Sequence, residues 1–332
     1  MFSFFRSHKD VINVRKERDI ISNLMLGIAS ISFFAMVSQI LVYYILALFV
    51  PVDGSSTTFQ MALNAFTMYG IAMPLSLVFF KRCPVVPTRK NRLGLFMLLG
   101  LITVCFALTY VGSILGSVIG DWLAGMMNKS AYDPVESTVT RISLGAVFLF
   151  MVVLAPIFEE IFYRRVVIDR LRRYGDIPAI ISSGLMFGLI HGNFSQFFYA
   201  AFLGMVFGAV YVYTGKLRYT IFLHMLINFM GSFYFSLMAE KFGGQIPAEI
   251  TEEIAAQFPV GYTMMSAYSI VYMISFVVAL PALALFLDKL RPQKGQVTLQ
   301  GTDRLRAVLC NVGLWVSLLF LAGFFALNTF SF

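Results

Sequence analysis

Charge is scarce in this chain: Asp, Glu, Lys and Arg make up 13% of its 332 residues, about half the share in a soluble domain. That shortage excludes an ordinary water-facing surface. Cysteine is scarcer still. Cys83, Cys105 and Cys310 lie far apart with no CxxC spacing, which argues against a disulfide framework or a thiolate metal site. Strict alternation of apolar and polar residues is missing, so transmembrane strands do not fit. No cleavable signal peptide is expected, because residues 1–19 are polar and basic and the first apolar run is long, without a small-residue cleavage site.

What is abundant is apolar: 59% of residues are hydrophobic, with 35 Phe and 18 Met. The composition predicts an all-α, polytopic membrane protein with about nine transmembrane helices. The apolar segments run at roughly 20–50, 59–80, 93–118, 142–163, 177–194, 196–213, 219–238, 260–287 and 307–330, each near the ~20 residues needed to cross ~30 Å of hydrocarbon. The fifth and sixth are short and form a tight pair around His191-Gly192-Asn193-Phe194-Ser195. One integral membrane domain over 20–330, preceded by a basic cytoplasmic N-terminus at 1–19, is the simplest partition, with the chemistry-bearing core at about 142–238.

The basic residues give the orientation. Residues 1–19, 81–92, 164–176, 214–218 and 288–306 hold 22 of the 25 Lys and Arg, and only Lys129, Arg141 and Lys241 fall on the other side. The positive-inside rule then places the N-terminus in the cytoplasm and the C-terminus outside; a plasma-membrane location is expected separately, from a short, Phe- and Met-rich chain with few appendages. This asymmetry accounts for the net charge of +8, so no nucleic-acid partner is expected. The acidic outer stretch 239–259 predicts a short surface helix. Rows of small residues at spacing four, Gly112/Gly116/Gly120, Gly184/Gly188/Gly192 and Gly204/Gly208, predict close helix packing.

Against this apolar background stand Glu159 and Glu160, at the end of a long apolar run. A charge at the bilayer centre costs on the order of 3 kcal/mol on insertion scales, and such groups are functional candidates. Glu160 and Arg164 are four apart on a helix and can pair. Glu159 points about 100° away, which frees it for general-base work. A structural ion pair at the cytoplasmic helix end is the plainer alternative. Phe187 and His191, then His224 and Asn228, repeat the four-residue spacing in nearby apolar segments. Imidazole can orient or deprotonate water, and an Asn amide can donate to a developing oxyanion. Rough depths of about 16 Å for Glu159, 20 Å for His191, and 9 and 15 Å for His224 and Asn228 permit one shared site below the cytoplasmic surface.

Glu-Glu-x-x-x-Arg at 159–164, Phe-x-x-x-His at 187–191 and His-x-x-x-Asn at 224–228, in this order, resemble the CPBP family. These are the CAAX proteases and bacteriocin-processing (Abi) intramembrane proteases. The resemblance covers about a fifth of the chain. It implies an eight-helix-like core, here with an added helix, and glutamate-dependent hydrolysis of a peptide bond. Glu159 would be the base, assisted by His191, with His224 and Asn228 as oxyanion stabilisers. Glu160 and Arg164 would position the site or grip the substrate, and Phe187 would support it. The implied substrate is a peptide or protein reaching the site from the cytoplasmic half of the bilayer, such as a peptide precursor, with bacteriocin self-immunity as a possible role.

Three rivals frame that expectation. Glu159, Glu160, His191 and His224 offer mixed ligands of the kind that catalytic zinc uses, but there is no His-Glu-x-x-His helix, so no cofactor is expected and zinc is the alternative. Ser182-Ser183-Gly184 lies two turns or more from His191, and Asp121 and Asp133 fall in an outer loop, so serine and aspartyl mechanisms fit poorly. A transporter or non-catalytic scaffold would also carry polar groups in its helices, yet no paired repeats are evident.

Overall fold

A computed structural model of the chain describes residues 13–126, 141–247, 249–297, 299 and 301–330. Lys129, Tyr132 and Asp133 lie outside the described residues, as do residues 1–12 of the basic N-terminus.

All nine apolar segments are helical. They are α1 (Val14–Ala47), α2 (Thr57–Phe80), α3 (Leu95–Met126), α4 (Leu144–Tyr174), α5 (Asp176–Leu189), α6 (Phe194–Thr214), α7 (Leu217–Lys241), α9 (Pro259–Leu290) and α11 (Val312–Phe330). Two short helices join them, α8 (Glu252–Gln257) in the acidic outer stretch and α10 (Gly301–Leu309) before α11. Among the described residues, seven helices are long and apolar enough to span a membrane, and an eighth if α10 and α11, bent by 49°, count as one. The expected count of nine is therefore approximate. The difference is α5, whose 14 residues reach only about 21 Å at 1.5 Å per residue. Asp121 lies on α3 rather than in a loop.

The chain punctuates itself with short polar side chains. Asn13, Ser56, Ser143, Asn193 and Thr251 each accept a hydrogen bond from a backbone N–H in the first turn of the helix that follows, supplying a partner that the helix start lacks. Gly215 closes α6 in the left-handed conformation, with φ of 64°, where a Cβ would be strained.

Helix α6 is the central post, with 67% of its apolar window buried. It packs on α5 on one side and α3 on another; α9 lies against α3, and α1 lies against α2 and α11. Glycines explain the close approach of α6 to its neighbours. A Cβ on Gly112 or Gly116 of α3 would strike the backbone of Tyr199 or Phe194, and one on Gly184 or Gly188 of α5 would strike Met205 or Phe197. In lipid, where apolar side chains gain little from leaving solvent, such contact is a main source of helix association. Gly192 leaves the expected row: it turns the chain between α5 and α6 with φ of 69°.

At one end of the bundle the basic segments meet. Glu17 pairs with Arg173 at 2.7 Å, Arg89 with Asp176 at 3.2 Å, and Arg172 with Asp176 at 2.8 Å. Arg89 donates to the carbonyls of Leu290 and Arg291, Arg172 to that of Pro87, and Gly175 bridges Lys294. Segments from four parts of the sequence thus share one face, four of the five that the Lys and Arg distribution grouped together.

Candidate active site

Four stretches of π-helix interrupt α2, α4 and α7: Phe66–Ala72, Val147–Leu154, Ile161–Ile168 and Phe229–Tyr234. Such stretches are rare and concentrate at functional sites. Here Ile161–Ile168 follows Glu160 directly and Phe229–Tyr234 follows Asn228 directly, and the other two together with Phe229–Tyr234 border one cavity of about 910 Å³ between α2, α3, α4, α5, α6, α7 and α9.

Glu159 and Glu160 close a short α-helical turn, Ala155–Glu160, between two π stretches of α4. Glu160 is fully buried. Arg164, one turn on and equally buried, donates to it from Nε at 2.7 Å and from Nη2 at 3.1 Å. The third hand of this guanidinium, Nη1, donates to Ser183 Oγ on α5 at 3.1 Å. Phe187 and Phe207 lie 5.5 and 5.8 Å from the guanidinium carbon, where a ring face favours a cation.

His224 of α7 joins the two glutamates. Its Nδ1 is 3.1 Å from Glu160 Oε1, and its Nε2 is 3.8 Å from Glu159 Oε2. The carboxylate oxygen can only accept, so Nδ1 carries the hydrogen. The second separation is too long for a hydrogen bond, and both residues open on the cavity. Phe187 and Phe207 flank the imidazole, with centroids at 5.6 and 5.4 Å. Glu159 itself is partly open to the cavity, and its Oε1 accepts from the hydroxyl of Tyr69 on α2 at 3.2 Å.

His191 is not on the helix that the spacing suggested. α5 ends at Leu189, and His191 sits in the following turn with its N–H on the Gly188 carbonyl. Its Nδ1 lies 2.8 Å from the Phe187 carbonyl. A carbonyl accepts only, so Nδ1 is the donor and Nε2 of the neutral ring keeps its lone pair. The residue lines the cavity with Glu159, His224 and Asn228.

Asn228 has a partner explained by the backbone. In the π stretch of α4 the Ala155 N–H reaches back to the Phe150 carbonyl. The next donor would be residue 156, a proline without an N–H. The Met151 carbonyl is left over, and Asn228 Nδ2 donates to it at 2.8 Å. One N–H of the amide is thereby fixed and the other remains.

Glu159, His191, His224, Asn228 and Phe187 thus border one cavity, while Glu160 and Arg164 lie behind it as a buried pair. Among the described residues no group of three or more His, Cys, Asp or Glu is placed to hold a metal ion. Of the mixed donors, both Glu160 oxygens face Arg164 or His224, whereas His191 uses only Nδ1 on a carbonyl. Sequence reasoning missed two members of the network. Ser183 was considered only as a nucleophile. Tyr69 stands in an apolar run where an aromatic residue carries no signal of chemistry.

Residues 141–230, the segment that carries all three motifs, match the family model for Rce1-like proteins, described as type II CAAX prenyl endopeptidases. Over that segment, about a quarter of the chain, the protein is similar to CAAX-type membrane proteases, and its long apolar helices are those of a multi-pass membrane protein. No curated protein and no solved structure matches the chain.

Proposed function

We propose that the chain is an intramembrane endopeptidase in which Glu159 activates the attacking water. The observation that carries this reading is the division of labour between adjacent carboxylates. Arg164 and His224 occupy Glu160, whereas Glu159 faces the cavity across a 3.8 Å gap from His224 Nε2. Water in the cavity beside Glu159 gives its proton to that carboxylate as its oxygen adds to the scissile carbonyl carbon. The free N–H of Asn228 donates to the oxyanion, and His224 joins it as the imidazolium, with Nδ1–H on Glu160 and Nε2–H turned to the cavity. His191 Nε2, an acceptor, assists in orienting the water. The C–N bond then breaks, and the proton held by Glu159 passes to the leaving amine.

The substrate is a peptide or protein segment that enters from the cytoplasmic half of the membrane, and processing of a peptide precursor, as in bacteriocin self-immunity, is the role we assign. The family resemblance supports the substrate class. The clustering of the basic segments at one end supports a cytoplasmic N-terminus in the plasma membrane, by the positive-inside rule. No metal takes part in this reading.

The test is cleavage of a mixed quenched-peptide library, prenylated and unprenylated, by purified protein in detergent. Wild type, E159Q and wild type with chelator run together. We expect E159Q to lose more than about 100-fold in kcat, with chelator changing the rate less than twofold. Loss with chelator would move the mechanism to a metal, and cleavage that survives E159Q would overturn it.

A further inference from the structure

We infer that Tyr69 is a positioning residue for Glu159, completing the site from a helix that carries none of the three motifs. This inference rests on the reading of Glu159 as the base.

A carboxylate that removes a proton from water must present one oxygen in a fixed direction, and a glutamate has three side-chain torsions to restrain. The buried neighbour Glu160 is restrained by two bonds from one guanidinium. For Glu159 the restraint comes from α2. The Tyr69 hydroxyl donates to Oε1 at 3.2 Å, while Oε2 is the oxygen that faces His224. The two carboxylate oxygens are thus assigned separate tasks. One is tied to a phenol and the other faces His224 beside the cavity.

The phenol is itself held. Its ring stacks on that of Phe158, the residue before the base, with centroids 4.9 Å apart and planes at 6°. It stands in the π-helical stretch Phe66–Ala72 and lines the cavity. Ring and hydroxyl therefore grip the same turn of α4 at adjacent residues. A competing hydroxyl exists nearer in sequence. Tyr163 is four residues from Glu159 and buried, yet its hydroxyl has no hydrogen-bond partner. The task falls to Tyr69, which lies outside the matched segment 141–230.

Y69F keeps the ring and the stacking and removes only the hydroxyl. In the peptide-library assay we expect kcat to fall about tenfold, with KM and the unfolding temperature within twofold and 2 °C of wild type, as for a misaimed base. A second readout needs no cleavage. Dicyclohexylcarbodiimide adds to apolar-site carboxyls to give an N-acylurea, which peptide mass spectrometry locates. Labelling of Glu159 should rise at least threefold in Y69F, because the carboxyl is released from its clasp, and should vanish in E159Q. Unchanged labelling, unchanged kcat, or a loss carried by KM or by unfolding each overturns the role of Tyr69. If E159Q still cleaves, the base reading fails and this inference fails with it. If E159Q is dead while Y69F matches wild type, the base stands and only Tyr69 is dismissed.

Discussion

Among the described residues two buried ion pairs share the same four-residue spacing, and only one of them is linked through a histidine to a group that faces the cavity. Arg172 and Asp176 clasp the basic end of the bundle. Asp176 takes Arg172 Nε at 2.8 Å, Arg89 Nη2 at 3.2 Å and the Gln293 N–H at 2.8 Å. Arg172 Nη1 donates to the Pro87 carbonyl. The network closes on backbone and lines no part of the cavity. Glu160 and Arg164 are paired as fully, yet their network runs on through His224, whose second nitrogen looks toward Glu159. Buried pairing is common to both. What separates a clasp from a site is whether the chain of hydrogen bonds ends on a group that still has something to offer a ligand.

The comparison can be broken at its sharpest point by E159Q. It should remove more than about 100-fold of kcat while leaving both ion pairs intact, so unfolding temperature should not move. A matched pair of substitutions comes next. E160Q and D176N each remove the charge from a buried pair, and breaking such a pair typically costs about 3–5 kcal/mol because the partner charge is stranded. Both should lower the denaturation midpoint. Only E160Q should also lower kcat of the folded fraction, by about 100-fold, since a neutral amide replaces the carboxylate that holds both Arg164 and the Nδ1–H of His224. D176N should leave kcat within about threefold. Equal effects on kcat would erase the distinction. The tenfold effect expected of Y69F ranks below these, because the base survives and only its aim is lost.

How much of this was legible beforehand divides along the same line. The nine apolar segments all became helices, because long apolar runs have few alternatives in lipid. The basic end was visible in the Lys and Arg count, since charge must sit outside hydrocarbon. The Glu160–Arg164 pair follows from helical spacing alone. Three things did not. The backbone at His191 leaves the helix two residues after Leu189, and Gly192 was misplaced in a packing row for the same reason. The π stretches are shifts of one residue in register, which hydropathy does not record, and the Met151 carbonyl that Asn228 takes is exposed by one of them together with Pro156. Tyr69 comes from 90 residues away, and long-range partners of a single hydroxyl leave no periodic trace.

The smallest expected effect tests how rigidly the active pair is held. Ser183 accepts from Arg164 Nη1 at 3.1 Å and donates to the Tyr163 carbonyl at 3.3 Å. In the other clasp, the equivalent hand of Arg172 rests on a backbone carbonyl, which no substitution removes. S183A therefore strips from Arg164 the kind of support that Arg172 cannot lose. A buried donor left without its partner costs about 1–3 kcal/mol, and S183A should show this as a lower denaturation midpoint in detergent. The bidentate hold of Glu160 should keep the guanidinium in place, so kcat should stay within about threefold of wild type. A tenfold loss of kcat at unchanged stability would mean that the Glu160 fork alone does not fix Arg164. The serine would then be part of what aims His224 at the gap beside Glu159.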